Sequence, residues 1–145
     1  MKKKLPIRVI SVLLCAAMLW GIPAYATETA EPRASERIAL SMCTIGRTDD
    51  GRLSAYFMVQ ASDLMDVIGA TSVEIQRYTF TGWVTEFTFT SDDYPALLTT
   101  NDSWHSCRMT YTPLFSEKTY RAVANIYVKD SRGTTTQKVT SSPVT

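Results

Sequence analysis

Histidine and cysteine are scarce in this sequence, with one His and three Cys among 145 residues. No C-x-x-C pair and no cluster of His with Cys occurs, which argues against a zinc site. A Ser–His or Cys–His mechanism would have to use His105, the single histidine. Cys107 lies two residues beyond it, but no oxyanion-hole motif accompanies the pair. We therefore predict no nucleophilic enzyme, no metal and no cofactor.

Long apolar runs are equally scarce, because only residues 9–22 form one. That run is shorter than the roughly 20 residues that span a bilayer. A basic start precedes it, and Ala24-Tyr25-Ala26 follows it with the small residues that signal peptidase accepts at a cleavage site. We predict that residues 1–26 are a cleaved signal peptide. The alternative is an uncleaved N-terminal anchor.

Without this signal, the chain has fewer basic than acidic residues. The signal carries four of the 15 Lys and Arg and none of the 14 Asp and Glu, so 11 basic residues remain against 14 acidic ones and the net charge changes from +1 to −3. Dispersed charge of this kind is not typical of proteins that bind nucleic acid or anionic lipid. We expect a secreted, extracellular protein that contacts no nucleic acid and, after signal cleavage, no membrane.

Two cysteines, Cys43 and Cys107, remain after the signal is removed. Such an even pair outside the cytoplasm is often oxidised. A bridge between them would close a loop of more than 60 residues and stabilise the fold by about 3–4 kcal/mol. We predict this disulfide. The alternative is a pair of free thiols, because sequence does not give the distance between them.

Short runs of β-forming residues alternate with turns through the rest of the chain. Residues 27–35 are polar and predict a flexible leader, followed by a single domain at 36–145. Apolar residues recur at period two, as in Leu53, Ala55, Phe57 and Val59, which is typical of half-buried strands. Seven strands are predicted in this way, at residues 37–45, 52–61, 72–80, 83–90, 103–111, 119–130 and 134–140.

Two segments of the chain break the period of two. Residues 62–70 cluster their apolar side chains as on a helix and predict one or two helical turns. Residues 91–98 contain Pro95 and predict a turn or short helical segment. With seven short strands and no long helix, the pattern favours an all-β, antiparallel, immunoglobulin-like sandwich with one short helical turn.

Four stretches of the chain carry a resemblance to known proteins. They are the leader ending in PRAS, MDVIGATSVEIQR at 65–77, Asp-Tyr-Pro at 93–95, and YRAVANIYVKDSRG at 120–133. Together they resemble a family of small exported proteins of Gram-positive Firmicutes that carries a domain-of-unknown-function label. The resemblance implies secretion and a small β domain, and it supplies no catalytic residue. Tyr120 separately resembles the tyrosine corner of immunoglobulin and fibronectin type III domains.

Carboxylates occur in clusters that invite an enzymatic interpretation. The acids concerned are Asp49, Asp63, Asp66 and Asp92. Two carboxyl groups that face each other across a cleft can hydrolyse a glycosidic bond. These clusters, however, lie beside Gly, Pro or Ser in predicted turns, where Asp makes local backbone hydrogen bonds. A small secreted hydrolase is therefore only the alternative function.

Aromatic residues supply the favoured functional hypothesis. Trp83 and Trp104 are the candidate members of an exposed aromatic surface, since flat rings give contact area at small entropic cost. Arg108, four residues beyond Trp104, should share its strand face and can pack on the indole. We predict a non-enzymatic binding module for a protein or glycan at the cell surface. An accessory structural domain without a ligand is a further alternative.

Overall fold

A computed structural model describes residues 37–145 of this chain. The chain divides into two units, Met1–Pro32 and Arg33–Thr145, and the described residues all belong to the second. The predicted signal peptide at 1–26 and leader at 27–35 lie outside the described residues. Within them, no helix is long and apolar enough to cross a membrane.

Six antiparallel strands and one short 3₁₀ turn make up the described residues, which confirms the predicted all-β class. The strands are β1 (Ile38–Arg47), β2 (Leu53–Thr79), β3 (Gly82–Thr90), β4 (Leu98–Tyr111), β5 (Tyr120–Asp130) and β6 (Gly133–Thr140). The 3₁₀ turn spans Pro95–Leu97, within the segment where Pro95 predicts a turn or short helical segment. The finer description as an immunoglobulin-like sandwich stays a prediction.

The 27-residue strand β2 is the centre of the sheet, because four of the other strands pair with it. Along one edge it pairs with β1 and then with β5, and along the other with β4 and then with β3. Strand β6 extends the sheet beyond β5. Every other strand pairs with β2 or, in the case of β6, with a neighbour of β2. The register against β2 therefore positions these strands relative to one another.

The prediction of helical turns at residues 62–70 is wrong, and it also accounts for the wrong count of seven strands. This segment continues β2, which joins the two strands predicted at 52–61 and 72–80. Val67 pairs with both Thr100 and Lys129, so the backbone hydrogen bonds of this segment are made to strands on either side. Leu64, which a helix would bury, is exposed. Tertiary pairing therefore overrides the local helical pattern.

The core is built from the alternate side chains of β2 and β5. Phe57, Ile75, Tyr120 and Ile126 are fully buried, together with Leu97 from the 3₁₀ turn. The 3₁₀ turn packs so closely against β2 that a Cβ on Gly69 would overlap the Leu97 carbonyl oxygen. Gly69 also has a φ of +147°, which glycine adopts without strain.

Strand β1 contacts the β5–β6 end of the sheet through polar side chains. Ser41 Oγ donates to Gln137 Oε1 at 3.1 Å, and Arg37 Nε lies 3.4 Å from Asp130 Oδ1. Asp130 is also paired with Arg132 at 2.7 Å, and these arginines hold the pKa of Asp130 below its ordinary value although burial opposes them. Residues far apart in sequence are thus tied together at this corner.

Candidate functional site

Three neighbouring strands, β1, β2 and β4, present one outer surface on which the strand register aligns exposed side chains. Leu40, Gln60 and Trp104 form one row across the strands. Further rows contain Met42 with Met58, and Tyr56 with Arg108. We call this surface the Trp104 face, defined by Leu40, Met42, Tyr56, Met58, Trp104 and Arg108.

The Trp104 face is apolar and open. Leu40 is 50% exposed, Trp104 47% and Met42 39%. These residues alternate with buried core residues on the same strands, so the period of two that builds the core also keeps their side chains on the outside. Single exposed apolar residues are common, whereas large groups of them are typical of interaction surfaces.

Arg108 lies on the same strand face as Trp104, as the spacing of four residues predicts. Its guanidinium carbon is 5.3 Å from the centre of the Tyr56 ring, and its Nη1 donates to Ser54 Oγ at 3.0 Å. The cation therefore packs on Tyr56 of β2 and not on the indole of its own strand. Directly opposed residues on paired strands are closer than residues four apart on one strand.

Trp83 does not belong to the Trp104 face. It pairs with Tyr78 at the end of β2, whereas Trp104 pairs with Gln60, so 18 residues of β2 separate the two positions. The Trp83 ring meets Tyr78 edge-on with centroids 5.2 Å apart, and the Arg121 guanidinium lies 4.3 Å from its centre. The two tryptophans that the sequence groups together therefore lie on different halves of the sheet.

The predicted Cys43–Cys107 disulfide is wrong, because both residues are free thiols in the structure. Cys43 on β1 and Cys107 on β4 both pair with Phe57 of β2, which therefore lies between them. Two strand spacings place their Cα atoms about 10 Å apart, and a disulfide requires less than about 7 Å. Burial raises the pKa of Cys43 to about 11 and also raises that of Cys107.

His105 is turned towards the protein on the same face of β4 as Cys107. Its Nε2 lies 2.8 Å from the Ala96 carbonyl oxygen, and its ring meets Phe57 edge-on at 5.9 Å. A nitrogen that donates to a carbonyl is not available to take a proton from a nucleophile. The raised pKa of Cys107 also disfavours the thiolate. His105 therefore anchors the 3₁₀ turn to β4.

The clustered carboxylates do not converge on a cleft. Asp49, Asp63, Asp66 and Asp92 are all exposed to solvent. No group of three or more His, Cys, Asp or Glu that would hold a metal occurs in residues 37–145. Asp50, next to Asp49, accepts hydrogen bonds from Thr48 and Arg52, which lower its pKa. Asp63 instead lies 3.4 Å from Arg132 Nη2, in the turn between β5 and β6. A glycosidase needs two carboxyl groups that face each other across a cleft.

Glu86 on β3 is a buried carboxylate that the sequence patterns did not single out. Its side chain is 4% exposed, and it accepts from Arg77 Nε at 2.8 Å and from the Leu114 amide at 3.0 Å. The hydroxyls of Tyr111 and Tyr120 lie 3.2 and 3.1 Å from Oε1. Burial raises the pKa of Glu86, but these donors outweigh it and hold the pKa below its ordinary value.

The Glu86 cluster attaches the β4–β5 loop, residues 112–119, to the sheet. The Tyr120 hydroxyl also lies 3.2 Å from the Phe115 carbonyl oxygen, five residues earlier in the loop. Burial and the Glu86 charge raise the pKa of Tyr111 to about 12. The donors and the acceptor are matched to one another, so this cluster is an anchor and not a reactive site. The only signal in the sequence is a lone Glu within an apolar strand.

Comparison with known proteins does not assign this chain to a family. No known protein family matches this chain, and no curated protein matches it. Among solved structures, it is similar to the solution structure of a protein assigned to the late embryogenesis abundant (LEA) group. The two are 15% identical with a TM-score of 0.43, over 94% of this chain and 83% of that chain. A likeness at that level carries no inference about function.

Proposed function

We propose that this protein is a secreted, non-enzymatic binding module that holds a protein partner at the cell surface through the Trp104 face. The observation that carries the proposal is the half-exposed apolar group of Leu40 and Met42 on β1 and Trp104 on β4, the two strands that flank β2. The N-terminal pattern of basic, apolar and small residues supports export. The exposed carboxylates support a role without hydrolysis.

The composition of the Trp104 face favours a protein over a glycan. Methionine, tryptophan and arginine are enriched at protein interfaces, where methionine adapts its shape to the partner. Gln60 lies directly opposite Trp104, but the next positions across β2 and β1 are Met58, Leu40 and Met42, which offer no strong hydrogen-bonding group to a sugar.

The size of the Trp104 face indicates a modest affinity. Three strands and three rows cover roughly 10 by 14 Å between Cα atoms, at about 4.8 Å between strands and 6.8 Å per two residues. Such an area is the core of a small interface, below the roughly 800 Å² per partner of a standard complex. We expect micromolar binding in which Trp104 contributes most of the energy.

Affinity capture from the producing cell tests the proposal. The chain from Thr27 onward, immobilised, is exposed to cell-wall fractions and secreted proteins of its own producer. A specific protein should be captured by the native chain and not by the M42S/W104S variant. Y94S, which removes a side chain of similar exposure (42%) outside the Trp104 face, is the matched control and should capture normally.

Two results would overturn the proposal. One is capture that is unchanged by M42S/W104S, and the other is no capture at micromolar concentration. Soluble wall glycans are added as competitors in a parallel sample. If they displace the bound material, the partner is a glycan and the protein-binding assignment is wrong.

A further inference from the structure

The methionines of the chain from Thr27 onward divide into two pairs. Of the six methionines in the sequence, four lie in this part, namely Met42, Met58, Met65 and Met109. Met65 is 1% exposed and Met109 6%, so both belong to the core. Met42 is 39% exposed and Met58 is half-buried, and both belong to the Trp104 face. The fold therefore separates two protected thioethers from two that solvent reaches.

Met42 and Met58 form the middle row of the Trp104 face. They are directly opposed in the β1–β2 pair, and Met58 is opposed on its other side by Ser106 of β4. The rows on either side contain Trp104 and Arg108. Side chains opposed in this way have Cβ atoms about 5 Å apart, so the two thioethers are neighbours. The pair thus occupies the centre of the surface that the proposed function assigns to a partner.

The fold does not require methionine at these two positions. Strands favour β-branched and aromatic side chains, and the exposed Thr44, next on the same side of β1, follows that preference. Met58 faces away from the core, since Phe57 and Val59 on either side of it are fully buried. Methionine instead provides an unbranched, adaptable side chain with a sulfur that oxidants attack. Oxidation of this sulfur would change the surface and leave the core intact.

We propose that peroxides regulate the Trp104 face, because oxidation of Met42 and Met58 to the sulfoxide weakens the hold on the partner. This inference rests on the proposed function of that face. In the reaction, the sulfur lone pair attacks one oxygen of hydrogen peroxide, the S–O bond forms as the O–O bond breaks, and the other oxygen leaves as water. Each sulfur loses two electrons and each peroxide gains them, so no further reactant is needed.

The sulfoxide changes the character of the Trp104 face. Its S–O group is polar and accepts hydrogen bonds, so it holds water that an apolar partner surface would have to displace. Because Met42 and Met58 lie between the row of Trp104 and the row of Arg108, two such groups would interrupt the apolar surface at its centre. Leu40 and Trp104 alone would remain as exposed apolar contacts. We expect the affinity for the partner to fall by about tenfold.

The cysteines are not placed to regulate the same surface. Cys43 belongs to the core, and Cys107 packs against it, on the opposite side of β4 from Ser106. The thiolate is the reactive form of cysteine, and burial raises the pKa of Cys43 to about 11 and also raises that of Cys107. Oxidation of a thiol would act on the core and not on the Trp104 face, and the variants below separate the two effects.

Peptide mass mapping after peroxide treatment tests which methionines react. The chain from Thr27 onward contains the entire core, which lies between Ile38 and Val144, and its β structure is checked by circular dichroism before and after treatment. Hydrogen peroxide should add oxygen to the two methionines of the Trp104 face about tenfold faster than to the two core methionines, since access of the oxidant differs. After unfolding, all of them should react at similar rates.

Hydrophobic-interaction chromatography then measures the surface without a partner. The oxidised native chain should elute earlier than the untreated chain. M42L/M58L keeps the size and apolar character of both side chains but has no sulfur there, so its elution should not change with peroxide. M65L/M109L is the matched control, since it keeps both methionines of the Trp104 face and should shift as the native chain does. Methionine sulfoxide reductases for both epimers, with a dithiol as reductant, should restore the original elution.

Affinity capture connects the oxidation to the partner. The peroxide-treated native chain should bind the captured protein about tenfold more weakly, and M42L/M58L should bind it equally with and without treatment. No capture by the untreated chain would contradict the proposed function. The mass mapping and the chromatography would still decide whether peroxide changes the Trp104 face, so the two failures are distinguishable.

Three outcomes would overturn the inference. The first is oxidation of the core methionines in the folded chain as fast as those of the Trp104 face. The second is unchanged elution or unchanged capture once Met42 and Met58 both carry the added oxygen. The third is loss of capture by M42L/M58L after peroxide treatment, which would assign the effect to the thiols or to Trp104.

Discussion

Replacing Glu86 with glutamine is the sharpest test of how the β4–β5 loop is held. The carboxylate accepts from Arg77 Nε, from the Leu114 amide and from the hydroxyls of Tyr111 and Tyr120. Glutamine has the same size but only one acceptor oxygen, and its amide group would face donors. The Arg77 charge, only 23% exposed, would lose its partner.

The expected loss can be estimated from the burial of the pair. Removing one member of a buried, hydrogen-bonded ion pair costs about 3 kcal/mol or somewhat more. Because Arg77 retains some solvent contact, we take the lower end, about 3 kcal/mol of the free energy of unfolding. For a domain of this size that is a fall in Tm of about 10–15 °C.

The assay is thermal unfolding by circular dichroism of E86Q and the native chain over a range of pH. The pKa of Glu86 is lower in the folded state, so the folded state favours the ionised form. As the pH falls, the unfolded chain binds the proton first, and the stabilisation is lost as the pH passes through the folded pKa. The gap in Tm between the two proteins should therefore be full at neutral pH and should narrow in acid.

Two results would refute this account of Glu86. One is a Tm of E86Q within about 2 °C of the native value at neutral pH. The other is a gap that stays constant below the ordinary pKa of glutamate. D50N, which removes a carboxylate from an exposed pair with Arg52, is the control and should change the Tm far less.

Other predictions concern the thiols, a glycine and a tyrosine. In the chain from Thr27 onward, intact mass should not change on reduction, Cys43 and Cys107 should both react with a thiol reagent after unfolding, and Cys43 should be protected in the folded state; a gain of two hydrogens on reduction would contradict this. G69A should fail to fold or lose most of its stability, because its Cβ would overlap a carbonyl oxygen of the 3₁₀ turn, whereas G46A, with no atom within 4 Å, should melt normally. Equal effects of these variants would contradict that reason. Spectrophotometric titration should show Tyr111 ionising near pH 12, and stability should fall above pH 10 because the neutral phenol is favoured in the folded state; Y111F should lack that transition.

Local pattern was enough to predict the structural class. Alternation such as that of residues 53–59 needs only the period of a strand and a core on one side, so all-β, antiparallel structure followed from it. The same alternation placed Trp104 and Arg108 on one strand face. The 3₁₀ turn at Pro95 was likewise readable, since proline restricts the backbone where it stands.

Features that depend on which strands are neighbours required the tertiary structure. The segment around Leu64 has helical spacing, and only pairing on both sides makes it part of β2. The sequence predicts a disulfide between Cys43 and Cys107, but the strand register places Phe57 between them. The β4–β5 loop is likewise attached by Glu86, from a strand distant in sequence.

The sequence by itself predicted the β class and the inward and outward sides of a regular stretch such as residues 53–59, and its N-terminal pattern predicts export. The tertiary structure decided that Trp104 and Trp83 lie apart, and that Leu40 and Met42 lie on the same face as Trp104. The physical reason is that side-chain alternation is a property of one strand, whereas a surface is made by the register between strands. The register is set by the packing of the whole core, and the core is built from residues that are distant in sequence.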